Sequence, residues 1–346
     1  MHRDPEFSIV IPVKDGGNLI GEAIASVLHQ THGAFRLLVL ENQSRDATVR
    51  IAESFEDPRL AVFPSAASLD VSENWRRILD LDLAPYLTIL SHDDILYPGF
   101  LEDIARLIAE DPGASLYQTH FHLINEHGRV IRACREMPTQ EAADSFLEAR
   151  QAHRRDSYGT GYVMRSADFR RVGGFPAFPR LLYADDIVWY RLAKLSYIAR
   201  SRNVLFAYRV HEASEAQAAS LSEVHSASRL YLKALEHLGY FATAGHRAQA
   251  RAFAQTTFNA RHRRKLLHVL RAGDEASRRR YREELDWLVA DPEGTKDIEV
   301  LGGFTSLLRA LAMASLPRAV RAFLASVIDL TAKVTHSLRL RAGLPG

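Results

Sequence analysis

Residues 87–100, LTILSHDDILYPGF, run from an apolar stretch through Ser91, His92, Asp93 and Asp94 to Pro98 and the start of a helical pattern. Two adjacent carboxylates therefore stand where a buried strand ends. Such a pair can accept the orphan N–H groups of a following helix. It can also hold a divalent cation, which relieves the repulsion between the two charges and commonly shares them with substrate phosphates. The surrounding elements decide between these readings.

Upstream, FSIVIPV (7–13) is a β-branched run of strand length that Pro12 closes. NLIGEAIASVLHQT (18–31) repeats apolar residues at helical spacing, and FRLLVLEN (35–42) is a second strand ending in Glu41 and Asn42. SRDATVRIAESF (44–55) reads as a capped helix, RLAVFPS (59–65) as a third strand, SENWRRILDLD (72–82) as a helix and YLTILS (86–91) as a fourth strand. Strands alternating with helices over short connections imply a mostly parallel α/β sheet flanked by helices. Ligands of such sheets bind at the carboxyl ends of the strands. Lys14 and Asp15, Glu41 and Asn42, and Ser91 to Asp94 all collect there, which favours a cation over a helix cap. Neither G-x-G-x-x-G nor G-x-x-x-x-G-K-[ST] occurs, so dinucleotide oxidoreductases and P-loop enzymes are disfavoured.

Past the helix FLEDIARLIAEDP (100–112), SLYQTHFHLINEHGRVI (115–131) reads as a hairpin and GTGYVMRSADFRRVGGF (159–175) as Gly-rich turns. YADDIVWYRLAKL (183–195) sets a second acidic pair, Asp185 and Asp186, at a helix start, and NVLFAYRVHEAS (203–214) is a strand ending at His211. From Leu221 the pattern is helical, with residues 212–222 as the join.

These segments, in this order over about residues 7–220, resemble the inverting glycosyltransferases of family 2, which have the GT-A fold. The resemblance implies a GT-A catalytic domain over residues 1–218, a nucleotide-sugar donor (UDP- or dTDP-linked), Mg2+ or Mn2+, and direct displacement at the anomeric carbon. Carried onto this chain, Asp93 becomes the metal ligand with Asp94 as its support, and His211 completes the metal site or touches the diphosphate. Pro12, Lys14, Asp15, Glu41, Asn42, Asn74, Ser91 and His92 fall on the donor side, with Trp75 beside them or in the core. Asp185 is the base, with Asp186 as fallback and Arg191 six residues on. Gly159 to Gly161 and Arg165 shape the acceptor pocket. The chain departs from the family pattern in three places: Lys14-Asp15 replaces an aromatic residue and Asn, Glu41-Asn42-Gln43-Ser44 replaces Asp-Asp-Gly-Ser, and Ser91 replaces the first acid of Asp-x-Asp-Asp.

Of 346 residues, 47% are apolar and 25% charged, as in soluble globular proteins. The net charge of +2 hides an asymmetry: residues 1–218 hold 24 Lys and Arg against 30 Asp and Glu, residues 219–346 hold 20 against 12. The basic rear half, 219–346, thus faces an anionic partner. Its last stretch, about 302–343, alternates apolar residues with Arg and Lys, which suits a peripheral membrane contact or a homodimer seam; nucleic acid is disfavoured because no binding motif accompanies the charge. One cysteine, no stretch long and apolar enough to span a bilayer and no signal-peptide layout imply a cytoplasmic enzyme, at most peripheral to the inner membrane face. A glycan or lipid-linked acceptor of bacterial surface polysaccharide reconciles charge with membrane. Two rival readings remain, a nucleotidyltransferase of similar fold and a non-catalytic nucleotide-sugar-binding protein.

Overall fold

The computed structural model describes residues 6–210, 219–272, 274–290 and, apart from 323 and 327, 320–328. The chain forms two compact units, Met1–Arg150 with Arg155–Gln217, and Gln151–Arg154 with Ala218–Gly346.

Unit 1 is built on one mixed sheet. Strand β1 (Phe7–Val13) is buried throughout, which is why its sequence is a continuous apolar run and not an alternating one. Helix α1 (Leu19–Leu28) lays Ile20, Ala23, Ile24 and Val27 into the core. Strand β2 (Phe35–Glu41), helix α2 (Thr48–Glu53), strand β3 (Leu60–Pro64) and helix α3 (Val71–Arg76) follow. Asp70 and Glu73 close a capping box on α3, and a 3-10 turn over Arg77–Asp80 takes the place of the expected helix's second half. Strand β4 (Tyr86–Ile89) then pairs with β1 on the side away from β2. The order β3-β2-β1-β4 is all parallel, and the sequence of strand addition switches sides between β1 and β4. That reversal opens a crevice at the carboxyl ends of these strands.

After β4 the sheet turns mixed. A two-residue strand, β5 (Ile95–Leu96), precedes helix α4 (Phe100–Glu110), whose N-cap is Gly99. Strands β6 (Leu116–Ile124) and β7 (Val130–Ala133) form the expected hairpin, turning at Asn125–Gly128. Strand β8 (Gln140–Glu141), helix α5 (Ala143–Gln151), strand β9 (Tyr162–Arg165), helix α6 (Ser166–Arg171), helix α7 (Ala184–Ala193) and strand β10 (Ile198–Arg209) complete the unit. Strand β9 runs antiparallel between β4 and β6, and β10 is parallel to β6 and antiparallel to β5. Strand β10 starts five residues earlier than its apolar pattern suggests. Its first half carries Arg200, 2% exposed, whose charge is met by Glu141 at 2.8 Å and by Gln118 at 2.9 Å. A buried, ion-paired Arg reads as surface in a sequence.

Unit 2 is helical. Helix Leu221–His237 begins with a capping box of Ser220 and Glu223, and helices Ala244–Ala272 and Glu275–Ala290 follow. Val224, Tyr231, Leu235, Phe253, Phe258, Leu266, Tyr281 and Leu285 form its core. His262 Nε2 shares a 2.6 Å hydrogen bond with the Tyr281 hydroxyl, and Lys265 pairs with Glu284. No helix of the described residues is long and apolar enough to cross a membrane. The amphipathic stretch about 302–343 lies almost wholly outside the described residues.

Candidate active site

The loops at the carboxyl ends of β1 and β2 are tied together through their backbones. Asp15 N donates to Ser44 Oγ (2.9 Å), Gly16 N to Thr48 Oγ1 (2.8 Å) and Gly17 N to Asp46 Oδ2 (2.7 Å); Arg45 N donates back to Asp15 Oδ1 (2.7 Å). Pro12 is buried in β1, and Lys14 lies exposed at the rim, its Nζ donating to Ser68 Oγ at 2.7 Å. Glu41 is buried and accepts Ser44 N at 2.5 Å. Asn42 and Asn74 have structural work. Asn42 donates to Leu69 O (3.0 Å) and accepts Leu69 N (2.8 Å); Asn74 donates to Leu40 O (3.3 Å) and accepts Arg77 Nη1 (2.9 Å). Where the sequence reading expects donor contact, both side chains are held by backbone groups and Arg77. A carboxamide's two ends can be spent on backbone, and linear spacing carries no sign of that.

Asp93 and Asp94 sit between β4 and β5, and α4 starts only at Phe100, with Glu102 and Asp103 as its own first-turn acids. Helix capping therefore does not explain the pair. Asp94 is 1% exposed; Thr160 Oγ1 donates to its Oδ2 (2.6 Å) and Arg209 N to its Oδ1 (2.8 Å). Burial, and then the charge of Asp93, push Asp94 well above the usual carboxylate range, against those hydrogen bonds. Ser91 Oγ donates to Asp93 Oδ1, and Arg209 Nε donates to Asp93 O at 2.7 Å. Arg209 also reaches Glu22 of α1 at 2.7 Å and the hairpin carbonyl of Glu126 at 3.0 Å. The guanidinium thus anchors three elements behind the acidic pair. His92 packs against Gly16: a Cβ there would stand 3.2 Å from His92 Cδ2 and 2.7 Å from Val13.

Asp185 and Asp186 open the first turn of α7. The chain reaches them through left-handed backbone at Arg180, Leu181 and Tyr183, and Asp15 and Gln43 share that conformation at the β1 and β2 ends. Non-glycine residues held there cost on the order of 1–3 kcal/mol each and concentrate at functional sites. Asp186 is buried, accepts Arg150 Nε at 2.9 Å, and leaves its Oδ2 without a hydrogen-bond partner among the described residues. Burial, and next the charge of Asp186, raise Asp185 to about 7, while Arg150 opposes the rise. Arg191 donates to Val172 O at 3.4 Å and makes no ion pair among the described residues. Six residues apart on a helix means about 240° of rotation, so Asp185 and Arg191 leave α7 in different directions, and Arg150 is the guanidinium beside the acidic pair.

The loop carrying Gly159 and Thr160 links the two acidic pairs. A Cβ on Gly159 would lie 3.4 Å from the Trp75 ring and 4.0 Å from Asp185 Cβ, while Thr160 holds Asp94. Arg165 faces elsewhere, donating to Ala114 O at 2.7 Å, because it ends β9 at the opposite edge from Gly159. Arg209 and Arg150 were not singled out by sequence, and Thr160 only as part of Gly159 to Gly161; each works through a contact more than thirty residues away, which no local pattern encodes. His211 lies outside the described residues.

Among the described residues no group of three or more His, Cys, Asp or Glu side chains could hold a metal unaided. Mg2+ in diphosphate sites needs only one or two carboxylates beside the phosphates and water. Asp93, at the crevice with Asp94 fixed behind it, fits that smaller donor set.

Parallel strands with a switch point between β1 and β4, an acidic pair just after β4 and a second pair at the start of α7 make up the arrangement of the GT-A fold. The family model for glycosyl transferase family 2 matches residues 8–167, within unit 1. Uncharacterized glycosyltransferases of Rickettsia typhi and Rickettsia prowazekii are each 26% identical over 212 residues, 60% of this chain and 65% of theirs. The match thus spans under two thirds of those relatives. The fold is shared with the crystal structure of S. aureus TarS 1–349 in complex with UDP-GlcNAc, at a TM-score of 0.60 and 16% identity over 98% of this chain and 92% of that one.

Proposed function

We propose that unit 1 transfers a sugar from a nucleotide-sugar donor to an acceptor hydroxyl with inversion. The observation that carries this reading is the loop Gly159–Thr160, which joins Asp94 to Asp185 and so sets a cation-ready carboxylate and a proton-accepting carboxylate on one crevice. The acceptor oxygen attacks the anomeric carbon, the bond to the diphosphate breaks, its electron pair leaves with the nucleotide, and the acceptor proton passes to Asp185. A carboxylate titrating near 7 suits that task. When bound, Mg2+ or Mn2+ held by Asp93 and the diphosphate supplies Lewis acidity for the leaving nucleotide.

TarS binds UDP-GlcNAc, which supports a UDP-sugar as donor. The basic residues of 219–346 support an anionic acceptor, a lipid-linked or surface glycan precursor at the cytosolic membrane face. The test is calorimetric titration of UDP, dTDP, GDP and CMP, with and without Mn2+, on the wild type and Asp93→Ala. Binding of one nucleotide that strengthens with Mn2+ and loses that gain in the variant is expected. Nucleotide binding indifferent to both would return Asp93 to a structural role, and no binding at all would end the donor reading.

A further inference from the structure

We propose that the stacked pair Tyr158 and Tyr208 forms the subsite for the transferred sugar, each phenol hydroxyl donating to a pyranose hydroxyl; this rests on the donor reading above. The two rings lie 3.6 Å apart at 9°, and the edge of Phe121 braces Tyr158 at 5.9 Å. Both are only partly buried, and among the described residues neither hydroxyl has a hydrogen-bond partner. Neither hydroxyl is sealed from solvent, so each is free to exchange water for a ligand hydroxyl.

Their neighbours fix where that ligand sits. Tyr158 precedes Gly159, where a Cβ would lie 4.0 Å from Asp185 Cβ and 3.4 Å from the Trp75 ring, and Thr160, which holds Asp94. Tyr208 precedes Arg209, whose backbone N–H holds Asp94 at 2.8 Å. The pair therefore lies against both acidic pairs, and an anomeric carbon passing from a diphosphate at Asp93 to an acceptor at Asp185 must cross this ground. Burial and the surrounding Asp94, Asp93 and Asp185 charges lift the Tyr208 phenol well above its ordinary range, and burial takes Tyr158 to about 12. Both stay protonated and serve as donors at neutral pH.

The test compares UDP with UDP-glucose, UDP-galactose and UDP-GlcNAc by calorimetry on the wild type, Tyr158→Phe and Tyr208→Phe; the phenylalanines keep the stack. In the wild type at least one UDP-sugar binds more tightly than UDP. Each variant is expected to leave UDP affinity unchanged and to weaken that sugar about three- to tenfold, the worth of one lost hydrogen bond. A sugar gain that survives both variants, or no gain in the wild type, overturns the subsite alone. Absence of UDP binding in the wild type overturns the UDP-sugar donor and the subsite with it.

Discussion

Asp185 owes its basicity to position. Burial and the adjacent Asp186 disfavour its charged form, Arg150 favours it, and the balance leaves a carboxyl near 7. The reactive form is the carboxylate, so the account predicts kcat/KM for sugar transfer rising through about pH 7 and levelling above it. The stability sign is opposite. In the unfolded chain the group titrates near 3.8, so the folded protein holds the extra proton between those values, and the stability it contributes is lost as pH rises through about 7. Asp185→Asn should therefore raise the melting temperature at about pH 8 and leave it nearly unchanged at about pH 4. A variant equally stable at both would remove the strained-acid account. The sequence displayed both acidic pairs, because adjacent acids at element ends are visible. It did not display Arg150 or the two tyrosines, since an Arg in a polar helix, a Tyr in a strand and a Tyr in a loop each have ordinary uses, and only tertiary packing gives them this one.

At the scale of elements, the alternation of strand and helix through β4 was legible because β1, β2 and β4 are largely buried, which makes their sequences near-continuous apolar runs, while a helix such as α1 buries one face. The ends of β4 and β10 were less so. A two-residue strand such as β5 is too short for any periodicity, and the buried Arg200 broke the apolar pattern of β10. The loop 158–161 that links the pairs was visible only as glycines. Gly161 shows why one is required: its φ is +81°, and a Cβ would stand 2.6 Å from the Phe206 ring. Gly161→Ala should cost about 1–3 kcal/mol in denaturant unfolding and, by displacing Thr160 from Asp94, lower transfer activity beyond what the lost stability explains. A variant as stable as wild type would show that the loop and Phe206 yield readily.

The molecule as a whole joins an acidic unit of GT-A fold to a basic helical one, and the charge surplus of residues 219–346 was plain from composition. Its use was not, because helical patterning alone does not distinguish a lipid surface from a second protein surface. The central claim concerns chemistry in unit 1: an acceptor attacks opposite a nucleotide leaving from Asp93, with Asp185 taking the proton. The most direct test follows turnover of an α-linked UDP-sugar by proton NMR in the wild type and Asp185→Asn, reading the anomeric configuration of the first product. The account predicts a β-configured product from the wild type and a fall of about 100-fold or more in the variant, with UDP affinity unchanged. An α-configured product, or a variant that turns over like the wild type, would contradict it.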